Sequence, residues 1–439
     1  PNHTSDRHPW FLEARTSRAS ARRAWYIWRD AAPDGGPPNN WLSEFGGSAW
    51  EWDATTGQYY YHAYLKQQPD LDWRNPEVRQ AMAEVLHFWL ARGVDGFRVD
   101  TIHHLIKDAQ FRDNPPNPDY GPHLPPHRSL IRAYTTDRPE VHGAISEMRR
   151  VLDTYPDRVL IGEAWLPFSS LMAYYGTDLS GMHLPFNFHL ITTPWNVTAI
   201  RALIAEYEAA LPTGAWPNWV LGNHDRSRIA TRLGSAQARV AAVLLLTLRG
   251  TPTLYYGDEI GMHDVLIPPE LVQDPFELNV PGLGVGRDPE RTPMQWSTGR
   301  HAGFTSGTPW LPVAEDLAQT NVHDQAADPH SLLSLYRNLI ALRRAEPALA
   351  IGSYTPLDAG SAVLAYVREH RGRRWGVLLN LTGEVVPLRV GRELAGARVV
   401  LSTLAELGAR QLEHRVELLA DEAMVLELEP AAAHPLQAE

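Results

Sequence analysis

The sequence predicts an α/β barrel, with a polar excursion at its N-terminal side and an antiparallel β domain at its C-terminal side. Three observations predict it. Apolar strands alternate with amphipathic helices from about residue 76 to residue 344, each pair sized for a βα repeat. Three of the strands end abruptly in carboxylates, Asp100, Glu163 and Asp225. Beyond Gly352 the helices stop and paired apolar strands take over.

The elements follow in order. Residues 1–72 are polar, aromatic and rich in Gly and Pro. Asp34-Gly35-Gly36-Pro37-Pro38 and Gly46-Gly47-Ser48 are turn chemistry. Trp41, Phe45, Trp50, Trp52, Tyr59, Tyr60 and Tyr61 are interleaved with them, so short strands are expected there. Asn75-Pro76 opens a helix, with Asn as cap and Pro at the first position. Val78, Met82, Val85, Leu86 and Trp89 supply its apolar face, and Gly93 stops it. Val94 to Asp100 then reads as a buried parallel strand that delivers one carboxylate at its C-terminal end. Side chains alternate along a strand, so Arg98 and Asp100 share a face.

The next helix is expected over Pro139 to Thr154, with Val141, Ile145, Met148 and Leu152 on one face. Arg158 to Glu163 repeats the pattern of apolar strand, Gly and carboxylate. A short strand over Leu184 to Phe188 and a helix from about Ala199 to Ala210 come next. Trp219 to Asp225 is a third apolar strand ending in polar residues, and Arg226 to Leu248 a helix with a buried Ala/Leu/Val face. Thr251 to Tyr256 is a further strand, 257–328 an irregular insertion, and Pro329 to Arg344 a last amphipathic helix. Ala362 to Val367, Arg374 to Asn380 and Ala423 to Leu428 are antiparallel strands, and the last nine residues are expected as a loose tail.

Bulk properties narrow the function. The 439 residues carry 40 Lys and Arg against 51 Asp and Glu, a net charge of −11. That argues against nucleic acid or a membrane surface as partner and suits a neutral small molecule. With no cysteine there is no disulfide framework, thiolate zinc site or thiol nucleophile. No apolar run approaches the roughly 20 residues of a membrane span. The 15 Trp and 16 Tyr offer flat faces that suit sugar rings. The chain starts at Pro1 inside a polar loop, so an N-terminal portion is expected to be missing; a cytoplasmic location is expected.

Barrels gather their strand ends around one mouth. Two carboxyl groups flanking a bond are the minimum for glycoside hydrolysis, one ionised and nucleophilic, the other holding a proton. Arg98 would keep Asp100 charged, which makes Asp100 the nucleophile. The apolar neighbours Ala164 and Trp165 would favour a proton on Glu163, the acid/base. Asp225, beside His224, would stabilise an oxocarbenium-like transition state. The rival readings are that each acid caps the following helix, or that Asp, Glu and His form a hydrolytic metal site. His103 and His104 are adjacent and cannot face one ion from a helix; they are read as solvent or loop residues, and no metal ligand is expected.

These residues resemble those of the α-amylase family, glycoside hydrolase family thirteen. Asn2-His3 is similar to the end of the family's first region, whose His binds the glucose being cleaved. Gln68-Pro69-Asp70-Leu71-Asp72 resembles the QPDLN region of the oligo-1,6-glucosidase and α-glucosidase branch, with Asp72 where Asn is usual. Gly96 to Asp100, Gly162-Glu163 and Asn223-His224-Asp225 are similar to the nucleophile, acid/base and transition-state regions. Gly286 to Trp296 resembles a loop of the α-glucosidase branch in which an Arg, here Arg287, reaches the floor of the glucose pocket.

The resemblance implies a (β/α)8 TIM barrel, incomplete here because its first strands are missing. Strands 4 to 8 would occupy residues 73–350. Residues 1–72 would be domain B, inserted after strand 3, and residues 351–430 a C-terminal β-sandwich. It implies Asp100, Glu163 and Asp225 as catalytic residues and His3, Arg98, Thr101, His224 and Arg287 as substrate-binding residues. It implies no cofactor in this chain; a Ca²⁺ ion is allowed only in the part preceding residue 1. The residue after the nucleophile reads linkage, Val for α-1,6 and Ala or Thr for α-1,4, so Thr101 points to α-1,4. The expected activity is a retaining α-glucosidase acting on maltose and short malto-oligosaccharides. The rivals are oligo-1,6-glucosidase, trehalose synthase, another transglucosylase, or a non-catalytic scaffold like the amino-acid transporter heavy chains. The expected partner is a small α-glucoside or oligosaccharide, without nucleic acid or membrane; the oligomeric state is open.

Overall fold

The computed structural model describes residues 1–404, 411–413 and 415–429. It divides into two compact units. The first takes residues 1–186, 210–215 and 272–286; the second takes 187–209, 216–271 and the described residues from 287 onward.

In the first unit, a short helix α1 (Pro9–Ala14) precedes the strands β1 (Trp28–Arg29), β2 (Trp50–Asp53) and β3 (Gln58–Tyr61), which pair antiparallel in the order β1-β3-β2. The aromatics of this stretch form its core: Trp41, Trp50 and Tyr61 pack with Ile27 and Ala49. A buried ion pair ties the stretch together. Lys107 Nζ meets Asp70 Oδ2 at 2.5 Å and Asn2 Oδ1 at 3.0 Å. Asn2 Nδ2 donates to Asp70 Oδ2 at 2.9 Å and the Ala63 amide to Asp70 Oδ1 at 2.9 Å. A buried carboxylate is tolerated when each oxygen finds donors in this way.

Helix α2 (Pro76–Leu90) begins as its sequence demands, with the Asn75 side chain accepting from the Glu77 amide at 2.9 Å. It packs against α3 (Val141–Leu152), and Arg79 pairs with Glu147 at 3.0 Å. Strands β4 (Gly96–Val99), β5 (Val159–Gly162) and β6 (Leu184–Pro185) form a parallel sheet in that order; α4 (Phe168–Leu171) and α8 (Pro275–Asn279) complete the unit. Two expectations differ here. Of the predicted apolar face of α2, Val78 is buried, but Val85 and Trp89 are 41% and 47% exposed. Met82 and Leu86, on the α3 side of that face, are half-buried, whereas Val85 and Trp89 lie on its open edge. Likewise β4 is less buried than a central parallel strand, with only Val99 fully sheltered. Among the described residues it pairs with β5 alone.

Gly96 is required by that pairing. A Cβ at this position would stand 2.0 Å from the Val159 carbonyl oxygen. Only glycine lets the strands approach at the foot of β4.

In the second unit, α5 (His189–Thr192) and α6 (Val197–Ala210) precede β7 (Asn218–Val220) and β8 (Thr251–Thr253), a parallel pair joined through α7 (Ile229–Thr247). α7 is long and apolar enough to cross a membrane by length and composition. Its Val240, Ala241, Ala242, Val243 and Leu244 are wholly buried within the unit, so it is a core helix. The insertion that follows holds short turns and α9 (Val322–Ala327), before α10 (Leu332–Ala345) and α11 (Pro347–Ile351).

The C-terminal strands are β9 (Ser353–Leu357), β10 (Val363–His370), β11 (Arg373–Asn380), β12 (Val386–Arg389), β13 (Arg398–Ser402), β14 (Arg415–Leu418) and β15 (Ala423–Leu428). Five of them make an antiparallel sheet in the order β13-β15-β11-β10-β9, and β12 pairs with β14. Val363, Leu378, Leu418 and Leu426 lie in the apolar cluster of this region. The expected tail falls outside the described residues.

This sheet is not set apart from the helices. α7 packs on β11 and β15. Arg343 Nη1 donates to the carbonyls of Leu246 and Leu248 at 2.9 Å each, and Arg368 pairs with the carbonyl of Thr247. The last carbonyls of a helix lack partners within it, and here the half-buried Arg343 and the buried Arg368 supply them.

Candidate active site

Strand register brings the first two acids together. β4 pairs with β5 so that Val99 lies opposite Gly162, and the next residue on each strand is a carboxylate, Asp100 and Glu163. The Glu163 amide donates to the Val99 carbonyl and the Ile102 amide to the Glu163 carbonyl, each at 3.0 Å. Between them Thr101 takes a left-handed conformation, φ 42°, ψ 44°, which turns the chain sharply at the strand end. For a β-branched residue this is strained, of the order of 1–3 kcal/mol.

Arg98 stands between the two acids. Its Nη1 donates to Asp100 Oδ1 at 2.8 Å and its Nη2 pairs with Glu163 Oε2. The pairing with Asp100 follows from strand alternation, whereas the pairing with Glu163 depends on sheet register. The two carboxyl groups differ in exposure, 48% for the Asp100 side chain and 4% for that of Glu163.

His3 bridges to Asp70, and the Gln68 side-chain amide lies 3.0 Å from its Nε2. Burial pushes its pKa below the ordinary histidine value, opposed chiefly by Asp70. Its ring lies 5.8 Å from that of Tyr64, which also meets Phe45 at 5.4 Å and His104 at 5.5 Å. Burial drives the Tyr64 phenol well above its usual range. Sequence reasoning passed over Tyr64; its place just before the Gln68–Asp72 region was the available signal.

His103 and His104 require correction. They are not solvent residues: they are 4% and 3% exposed, with rings 4.4 Å apart in an edge contact. Burial lowers His103 to about 4 and His104 further, so both are neutral. The sharp turn at Thr101 carries the chain inward and takes both rings with it.

The second unit holds the third acid. The Asp225 amide donates to Asn223 Oδ1 at 3.0 Å, an Asx turn. Asp225 Oδ1 accepts from Arg287 Nη1 at 3.1 Å and Arg291 Nη2 at 2.8 Å, and lies 3.4 Å from His224 Nε2. His224, Asp225 and Arg287 are thus brought together within this unit, as His3, Arg98, Asp100, Thr101 and Glu163 share the other. Arg291 was missed: an Arg in a polar loop shows no periodic pattern. Two buried acids accompany this group. Burial raises Glu290 to about 8 and Asp258 to about 7. Among the described residues no three His, Asp or Glu side chains gather as a metal-binding set.

Residues 1–352 match the family model described as Alpha amylase, catalytic domain. The chain belongs to the α-amylase family. This is a family of hydrolytic enzymes, and the fold class is its TIM barrel followed by an antiparallel sheet. Among α-amylase family relatives, a probable alpha-glucosidase of Rhizobium meliloti (strain 1021) is 38% identical over 401 residues, covering 87% of this chain and 72% of that protein. An oligo-1,6-glucosidase of Halalkalibacterium halodurans is 34% identical, covering 90% of this chain and 75% of that protein. The crystal structure of the alpha-glucosyl transfer enzyme XgtA superposes with a TM-score of 0.89 at 36% identity, over 97% of this chain and 81% of that one. An isomaltulose synthase mutant from Erwinia rhapontici NX5, in complex with sucrose, gives 0.86 at 31% identity, over 98% and 82%. This chain spans 65% of an alpha-glucosidase of Culex pipiens and 62% of a maltase of Drosophila virilis.

Proposed function

We propose that this protein is a retaining α-glucosidase that releases terminal α-1,4-linked glucose from maltose and short malto-oligosaccharides. The observation that carries the reading is Arg98 touching both Asp100 and Glu163. One guanidinium can reach both only if the carboxyl groups are close. Such a neighbouring pair serves both retaining and inverting glycosidases, and the retaining outcome is carried by the family resemblance. Because Arg98 touches both acids it does not itself tell nucleophile from acid; the difference in exposure supports the division of labour, with an open carboxylate for attack and a sheltered carboxyl for proton transfer.

In this reading Asp100 attacks the anomeric carbon while Glu163 gives its proton to the departing glycosidic oxygen. A glucosyl ester on Asp100 results. Glu163, now a carboxylate, takes a proton from water, whose oxygen attacks the same carbon and frees Asp100 and α-glucose. Asp225 opposes the positive charge that develops on the sugar ring in both steps. The names of the Rhizobium and Culex relatives support glucose release, and Thr101 supports the α-1,4 linkage.

Transfer of the glucosyl group to a sugar hydroxyl is a second reading, favoured by the likeness to XgtA. Product analysis on maltose separates the two, since transfer yields longer or re-linked oligosaccharides. The nucleophile is tested directly: in the full protein Asp100→Asn abolishes α-glucose release, and undiminished turnover by that variant overturns the proposal.

A further inference from the structure

We infer that Arg291 is a positioning residue that fixes the orientation of Asp225; this rests on the reading of Asp225 as the group that stabilises the transition state. Arg291 makes a fork across one dipeptide. Its Nη2 donates to Asp225 Oδ1 at 2.8 Å and its Nε donates to the His224 carbonyl oxygen at 2.7 Å. One planar guanidinium thereby holds both the side chain of Asp225 and the peptide unit before it. Lysine offers no such geometry, because its donors radiate from a single nitrogen. The fork sets the rotation of the carboxylate relative to its own backbone, which an isolated ion pair does not do.

Arg291 is itself held from both sides. It ends the turn Pro289–Arg291. The Glu290 carbonyl accepts from the Tyr255 hydroxyl at 3.0 Å, and the Thr292 carbonyl from the Tyr256 hydroxyl at 2.7 Å. The two tyrosines, consecutive residues just beyond β8, clasp the carbonyls flanking Arg291. Thr292 is wholly buried. Charge that must be opposed in a transition state is opposed best by a group that does not reorganise, and such groups are locked by the residues behind them.

The competing account is structural: Arg291 merely fastens residues 286–296 to residues 223–225. A double-mutant cycle separates the two. Arg291→Met, Arg291→Lys, Asp225→Asn and the double variant Asp225→Asn/Arg291→Met are made in the full protein. They are assayed on α-glucosyl fluoride, whose good leaving group keeps weak variants measurable. Arg291→Met should lower kcat by about 100-fold with KM changed far less, as for the loss of one preorganised donor. Arg291→Lys should recover only part of that. In the Asp225→Asn background Arg291→Met should cost less than about threefold, because the group it positions is gone. Independent losses that multiply in the double variant overturn the inference, as does full activity in Arg291→Met. If Asp225→Asn alone keeps wild-type kcat, the reading of Asp225 fails, whatever Arg291 does.

Discussion

Arg98 shows how one side chain can organise two. It is placed by strand alternation beside Asp100 and by sheet register beside Glu163. Lysine at this position keeps the charge but reaches one carboxyl group at a time. Arg98→Lys should therefore lower kcat/KM by about 10²-fold with the melting temperature nearly unchanged, and steady-state kinetics with a thermal melt check it. Asp258 makes a different prediction. Burial raises it from 3.8 to about 7, against the pull of Arg228 and Arg232. The folded chain therefore keeps a proton that the unfolded chain has lost across that window, and stability falls as pH rises through it. Asp258→Asn has no proton to lose, so its melting temperature relative to the parent should climb between about pH 4 and pH 7 and level off above that. A gap that stays constant contradicts this. At this scale the sequence is informative about residues whose position has a pattern. Asp100 and Glu163 end apolar strands, and Arg98 lies two residues from one of them. Arg291 lies in a polar loop, and its partner Asp225 is 66 residues away. Tyr64 reads like its many core neighbours.

Among the elements, β4 and β5 are held at their feet by Gly96, and the segments around His3 are held by a buried charge. Lys107 and Asp70 are 1% and 0% exposed. Removing one partner of such a pair strands the other. Lys107→Met should cost about 3–5 kcal/mol in urea unfolding, because Asp70 and Asn2 lose their cation. Lys107→Met combined with Asp70→Leu should cost clearly less, since no charge is then left unpaired. Helices were legible from the sequence to within a few residues. The Asn75 cap was identified correctly, and Pro139 to Thr154 shrank to Val141–Leu152. Periodicity gives a helix its apolar face but not the neighbour that face will meet, so Val85 and Trp89 were expected buried and are exposed. His103 and His104 failed for another reason: polarity suggested a solvent loop, but the left-handed turn at Thr101 folds them inward.

For the whole molecule, the change from alternating βα units to an all-antiparallel region was legible as a change of period near Gly352. That the antiparallel sheet joins α7 through Arg368 was not, because the donor and the carbonyl it caps are 121 residues apart. At this scale the proposal to be tested is that this member of the α-amylase family acts through a glucosyl ester on Asp100. Glu163→Gln provides the direct measurement. With α-glucosyl fluoride, ester formation needs little acid assistance, whereas ester hydrolysis has lost its base. Peptide mass spectrometry of the quenched Glu163→Gln protein should find one added glucosyl group, on the peptide containing Asp100. A glucosyl group on another residue, or steady fluoride release with β-glucose as first product and no adduct, would contradict the account.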